Sequence, residues 1–174
     1  MDIVLYPDPR LRAKNVPVTE FGAELEATTR EMFELMYATA GVGLAAPQVG
    51  LNIRLMVYNP EGSQPNPPSE IVLCNPKIVW KSKDKEEGEE GCLSFPEING
   101  SVTRPLKIRV QAQSVTGEEL EIELEDWEAR IFQHELDHLD GILFIDRMSP
   151  ASKSQAKPGL DDMIQEYKDT IAGS

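Results

Sequence analysis

The stretch Trp127-Glu128-Ala129-Arg130-Ile131-Phe132-Gln133-His134-Glu135-Leu136-Asp137-His138-Leu139-Asp140 has a helical period, with Ile131, Phe132, Leu136 and Leu139 forming its apolar side. Asp126 before it suits an N-cap, and Gly141 after it suits a C-terminal stop. The only two histidines of the chain stand here, four residues apart. Four residues are slightly more than one turn, so both imidazoles leave one face about 6 Å apart along the axis and can meet one ion. Glu135, three residues before His138, lies on the flank of that face, where its carboxylate can take a proton from water without ligating. This is the His-Glu-x-x-His pattern of metal-assisted hydrolysis. The competing reading is an exposed helix with two ordinary histidines, with Asp137 and Asp140 on a solvated face. The breadth of the apolar side argues for burial instead, and buried imidazoles and carboxylates are costly without partners.

Outward from this helix, Ile108, Val110 and Ala112 alternate with polar residues, Thr116-Gly117 turns the chain, and Leu120, Ile122 and Leu124 alternate again. That is a hairpin with one apolar face and one wet face. Strands are predicted at Arg54–Tyr58 and from Ile71 to about Ser82, with a Pro/Gly/Ser/Asn loop from Asn59 to Ser69 between them. A first helix is predicted from about Phe21 to Ala40 through Leu25, Met32, Phe33 and Met36, with Gly41 ending it. The following Gly41–Gly50 is too glycine-rich and proline-marked for a regular element and is expected as a tight loop lying close to something. Beyond Arg147-Met148-Ser149-Pro150 the chain is expected to run as a polar linker through Lys157-Pro158-Gly159, then as a short helix from about Leu160 to Ile171. Strands grouped before a core helix predict one α+β domain over residues 1–174, with antiparallel sheets packed around a central metal-binding helix.

The balance of 17 basic and 30 acidic residues gives a net charge of −13, which repels phosphate backbones and anionic lipid. No apolar run approaches the roughly 18–20 residues that span a bilayer, and Met1-Asp2-Ile3-Val4 resembles neither a secretory nor a transit segment. A soluble chain is the expectation. The two cysteines, Cys74 and Cys92, predict reduced thiols and not a disulfide scaffold. Cys74 lies in the apolar run Ile71-Val72-Leu73-Cys74 and reads as core packing.

A hydrolytic site takes three protein ligands and leaves one position for water. No histidine follows His138. Downstream, Asp161, Asp162 and Glu166 are acidic candidates, as in zinc peptidases that use this motif. Upstream, Cys92 in Glu89-Glu90-Gly91-Cys92-Leu93-Ser94 offers a thiolate. The motif alone does not choose between them.

Three segments stand in order along the chain: Gly41-Val42-Gly43-Leu44-Ala45-Ala46-Pro47-Gln48, Glu90-Gly91-Cys92-Leu93-Ser94 and Gln133-His134-Glu135-Leu136-Asp137-His138. Together they closely resemble the three signature motifs of the peptide deformylase family. Tyr6-Pro7-Asp8-Pro9-Arg10-Leu11-Arg12 resembles the family's N-terminal segment, and the likeness runs from about Leu5 to Met148.

The resemblance implies a hydrolase of protein biosynthesis that removes the formyl group from the N-terminal formyl-methionine of new polypeptides and releases formate. It implies that Cys92, His134 and His138 hold one divalent metal ion, Fe2+ first, with Zn2+, Ni2+ or Co2+ as substitutes. Glu135 would be the general acid/base, while the Gln48 amide and the Leu93 backbone N–H would bind the formyl oxygen. Gly41 and Gly43 would let the substrate lie against bare backbone as an added strand, beside Gly91. Val42, Glu90, Trp127, Arg130 and Ile131 are expected around the pocket for the methionine side chain, and Arg104 is expected to orient the peptide.

The implied partners are N-formylmethionyl peptides and nascent chains, with a transient ribosome contact left open. Membrane and direct nucleic-acid binding are not expected, and a monomer is. Pro96-Glu97 departs from the Pro-Gly of many members, and Phe95, Arg130 and Ile131-Phe132-Gln133 resemble the plastid-type plant enzymes. Localisation is accordingly expected in a bacterial-type cytoplasm, or in a plastid where a transit peptide has been removed. Three other readings compete: a zinc endopeptidase with an acidic third ligand, a binding module whose helix merely packs, and a family member with another substrate.

Overall fold

Alternate side chains of one short strand enter two different cores, and this sets the layering of the molecule. In the computed structural model, which describes residues 1–173, strand β2 (Leu55–Tyr58) is buried along its whole length. Met56 and Tyr58 face one way, Leu55 and Val57 the other, as the two-residue period of a strand requires. It lies within a five-stranded antiparallel sheet of order β1-β2-β3-β6-β7, with β1 at Gly43–Ala45, β3 at Ile71–Lys81, β6 at Lys107–Gln113 and β7 at Glu119–Glu125. Helix α1 (Ala23–Ala38) covers one face through Leu25, Met32, Phe33 and Met36. Helix α2 (Asp126–Leu139) covers the other through Ala129, Ile131, Phe132 and Leu139, against Met56, Tyr58, Leu73 and Val110. Cys74 is fully buried on the α1 side, as core packing.

The predicted hairpin is present in register: Ile108 pairs with Leu124, Val110 with Ile122 and Ala112 with Leu120, and Gly117 turns at φ +87°. Two parts of the sequence reading need correction on this side of the molecule. Gly41–Gly50 is not loop throughout, because Gly43–Ala45 is the edge strand β1, paired with Met56–Tyr58, and a 3-10 turn follows at Ala46–Val49. Asp126 is not an N-cap either. It is the first residue of α2, at φ +54°, and Glu125 before it makes no side-chain cap.

More than one sheet was expected, but the strands of the second were not located. β4 (Lys85–Cys92) and β5 (Phe95–Pro105) form a two-stranded antiparallel ladder separate from the main sheet. Its first strand, Lys-Glu-Glu-Gly-Glu-Glu-Gly-Cys, shows no apolar alternation, so pattern reading has nothing to detect. Backbone pairing does not need it, and β5 supplies the apolar side with Phe95, Ile98 and Val102.

The expected linker and short terminal helix are instead one helix, α3 (Pro150–Ala172), with Pro158 inside it. Ser149 caps it by accepting from the Ser152 N–H, and the Ser152 hydroxyl accepts from the Ser101 N–H of β5. Ala156, Leu160 and Met163 pack on Ile98, Val102 and Phe144 in a third core, at the i, i+4, i+7 spacing of one helical face. That stripe runs across Pro158 and holds the helix together despite the lost hydrogen bond. Among the described residues, no helix is long and apolar enough to cross a membrane. Because Pro158 faces solvent, Pro158→Ala is expected to raise stability by about 1–3 kcal/mol, read as a higher melting temperature; an unchanged or lower one would show that the helix is already adapted to its proline.

Candidate metal centre

Helix α2 brings nearly its whole circumference into the protein, and its polar residues are buried with the apolar ones: His134, Glu135, Asp137 and His138 are all under one-tenth exposed. Cys92 reaches the same place from the end of β4. The ligand atoms of Cys92, His134 and His138 lie within 4.8 Å of one another, with Cys92 Sγ 3.4 Å from His138 Nε2. The alternative acidic ligands are elsewhere, since Asp161, Asp162 and Glu166 are exposed on α3. A thiolate and two imidazoles at these separations suit a divalent ion with N and S ligands, which needs donors about 2.0–2.3 Å from one point.

One of the ligands, His134, is held from behind by a carboxylate. His134 Nδ1 is 2.9 Å from Glu90 Oε1, which leaves Nε2 for the centre. Glu90 in turn accepts from Arg104 Nε (2.6 Å) and Nη2 (2.9 Å) and from Arg130 Nη1 (2.7 Å). Burial opposes ionisation of Glu90, but Arg104 and His134 outweigh it and hold the carboxyl at about 2. Burial also works against a charged His134, yet the neighbouring Cys92 and Glu90 raise it well above the ordinary histidine value. His138, disfavoured by burial and by the charges of His134 and Arg104, is pushed well below it. The surroundings thus favour the neutral form of His138 and the charged form of His134, and a cation bound there would take the place of the proton on His134.

Glu135 sits beside the three ligands with Oε1 buried and unpartnered, and burial pushes its carboxyl up to about 7. Edge strand β1 makes this arrangement possible. A Cβ at Gly43 would stand 2.5 Å from Glu135 Oε2, and one at Gly41 would stand 2.6 Å from Leu93 Cδ1. A side chain at either position would displace Leu93 or Glu135 from its present place.

Gln48 is oriented without ambiguity, because its Oε1 accepts from the Ala45 backbone N–H at 2.9 Å. Its amide nitrogen then faces Cys92 Sγ (3.4 Å) and the fully buried Ser94 Oγ (3.2 Å). Leu93 lies in the turn between the paired residues Cys92 and Phe95, on the wall of the same cavity. That cavity, of about 710 Å³, is also lined by Gly41, Val42, Gly43, Glu90, Gly91, Trp127, Arg130, Ile131, His134 and Glu135. Arg104 is absent from its lining: its guanidinium is 4% exposed and ends on Glu90 and Asp137.

The residues 1–154 match the model of the polypeptide deformylase family. The chain belongs to that family. It is 47% identical over 170 residues to peptide deformylase 1B, chloroplastic, of Oryza sativa, covering 98% of this chain and 63% of that one. It is 44% identical over 166 residues to the peptide deformylase of Thermotoga maritima, covering 95% and 98%. A crystal structure of Arabidopsis thaliana peptide deformylase 1B in complex with an inhibitor superposes with a TM-score of 0.94 at 46% identity, over 99% of this chain and 94% of that one. A Plasmodium falciparum peptide deformylase does so with a TM-score of 0.95 at 41% identity, over 97% and 98%. The chain spans 60–63% of the length of the plant relatives it matches. The α+β architecture predicted from sequence is the architecture of these structures.

Sequence reading missed how the site is held from behind, having placed Glu90 only around the methionine pocket. Ser94 behind Gln48, Glu90 behind His134 and Asp137 behind Arg104 carry no signal beyond their nearness to the motifs. The two thiols are predicted to differ sharply. Burial alone pushes Cys74 up to about 11, and it has no exposed surface, whereas Cys92 is part-exposed at the cavity. Iodoacetamide at neutral pH should therefore modify Cys92 alone in metal-free native protein, and Zn2+ should protect it; equal labelling of Cys74, or no protection, would contradict this geometry.

Proposed function

We propose that this chain is a metal-dependent peptide deformylase that hydrolyses the formyl group from N-terminal formyl-methionine, releasing formate. The observation that carries this reading is the meeting of Cys92, His134 and His138 beside the buried Glu135 carboxylate and the fixed Gln48 amide, with Cys92, His134, Glu135 and Gln48 lining one cavity. Cys92, His134 and His138 would hold a divalent ion, Fe2+ foremost, with Zn2+, Ni2+ and Co2+ as chemically suitable substitutes. Such an ion supplies a hydroxide nucleophile near neutral pH by lowering the pKa of water.

The residues of the chain do the rest. Glu135 takes the proton of the attacking water and returns it to the departing amine. The Gln48 Nε2–H and the Leu93 backbone N–H stabilise the oxygen of the tetrahedral intermediate, where negative charge develops. Gly41 and Gly43 leave the backbone at and just before β1 open to an extended peptide, and Val42 and Ile131 offer an apolar wall to the methionine side chain. Nascent chains emerging from the ribosome are the proposed source of substrate. Relatives named chloroplastic and relatives from bacteria both fit this activity, so a plastid or a bacterial-type cytoplasm is the proposed setting.

Anaerobic measurement of formate release from formyl-Met peptides tests the reading. Wild-type protein with a filled metal site should turn over, and its failure to do so would overturn the function. Glu135→Gln should lower kcat by about 10²–10⁴-fold while retaining metal. Gln48→Leu should lower it by about 10²–10³-fold. Full activity in either variant would remove that residue from its role.

A further inference from the structure

The three proposed ligands come from two bodies that share no ladder. Cys92 ends a strand of the two-stranded sheet, while His134 and His138 ride on α2, which packs against the five-stranded sheet. Backbone pairing within either sheet therefore leaves their separation undetermined. A metal site with N and S ligands tolerates errors of only about 0.2 Å in ligand distance, so something stiffer than apolar packing has to set the gap.

Arg104 occupies the position from which that can be done. It projects from β5, opposite Glu86 of β4, and its guanidinium is 4% exposed. One edge of the fork, Nε and Nη2, grips Glu90 at 2.6 and 2.9 Å; the remaining nitrogen, Nη1, reaches Asp137 Oδ2 at 3.0 Å. Glu90 is two residues before Cys92 and bonds His134 Nδ1, while Asp137 directly precedes His138. A planar group with fixed donor directions thus spans from the strand that carries the thiol to the helix that carries both imidazoles. Both of its carboxylates are anchored again, Glu90 by Arg130 and Asp137 by Arg147 at 2.6 and 3.0 Å. Arg104 meanwhile has no place on the wall of the substrate cavity.

We propose that Arg104 is a positioning residue for the metal centre, setting the distance between Cys92 and the histidine pair, and takes no part in binding the peptide. This inference rests on Cys92, His134 and His138 being metal ligands. Lysine at position 104 keeps the charge but cannot hold Glu90 and Asp137 together, and Asp137→Asn weakens only the α2 end of the link.

The test is a Co2+ titration of metal-free wild type, Arg104→Lys and Asp137→Asn, following the thiolate-to-cobalt absorption that reports Cys92 ligation, with formate kinetics on the loaded proteins alongside. Both variants should bind Co2+ roughly 10–100-fold more weakly than wild type, with a shifted absorption band, a lower kcat and an unchanged KM. Absence of the thiolate band in wild type would sink the metal reading itself. Wild-type affinity and spectrum in both variants, or a raised KM with unchanged Co2+ affinity, would overturn the inference and leave that reading standing. Loss of folded structure by circular dichroism in both variants would assign Arg104 to stability alone and likewise overturn it.

Discussion

Helix α2 can carry two imidazoles and two carboxylates into the interior only if the polar atoms find partners there, because an unpaired buried charge costs several kcal/mol. Much of the surrounding structure follows from this constraint. Glu90 meets His134, Arg104 and Arg130; Asp137 meets Arg104 and Arg147. On α2, Glu135 Oε1 beside the centre and His138 Nδ1, on the side of its ring away from Cys92, are left without protein partners. A satisfied ionic network behind His134, with one carboxylate oxygen of Glu135 left open beside the centre, suits a group that is to meet a further partner there.

The apolar side of the same helix is what holds it against this cost. Phe132, Ala129 and Leu139 are fully buried against the sheet, while Ile131 is nearly so and also lines the cavity. Strand β2 is shared between this core and the core under α1, so displacement of α2 would disturb both. The third core, under α3, reaches the centre through Phe144, whose ring lies 5.6 Å from that of His134. The site is thus placed where three apolar clusters and one ionic network meet.

The cavity needs emptiness as much as it needs groups. Gly43 makes room for Glu135, and Gly41 for Leu93, at the edge of the main sheet where β1 is paired on one side only. Edge position and absence of side chains leave backbone donors and acceptors open to an extended ligand.

Local period and the chemistry of neighbours were enough to read helices α1 and α2, the β6–β7 hairpin, the burial of Cys74, and a histidine pair able to share an ion with Glu135 beside it. Motifs in order pointed further, to Cys92 and Gln48. Features that depend on residues far apart in the chain became visible in the folded molecule alone. The charged strand β4 was illegible because its pairing runs through backbone, and α3 because burial of Ala156, Leu160 and Met163 overrides the local weakness at Pro158. Arg104 shows the limit most clearly. An arginine on a strand is ordinarily solvated or turned to a ligand, and nothing in its neighbours along the chain indicates that Glu90 and Asp137, 14 and 33 residues away, converge on it. Such convergence is created by the folding of two sheets around one helix, and no local pattern encodes it.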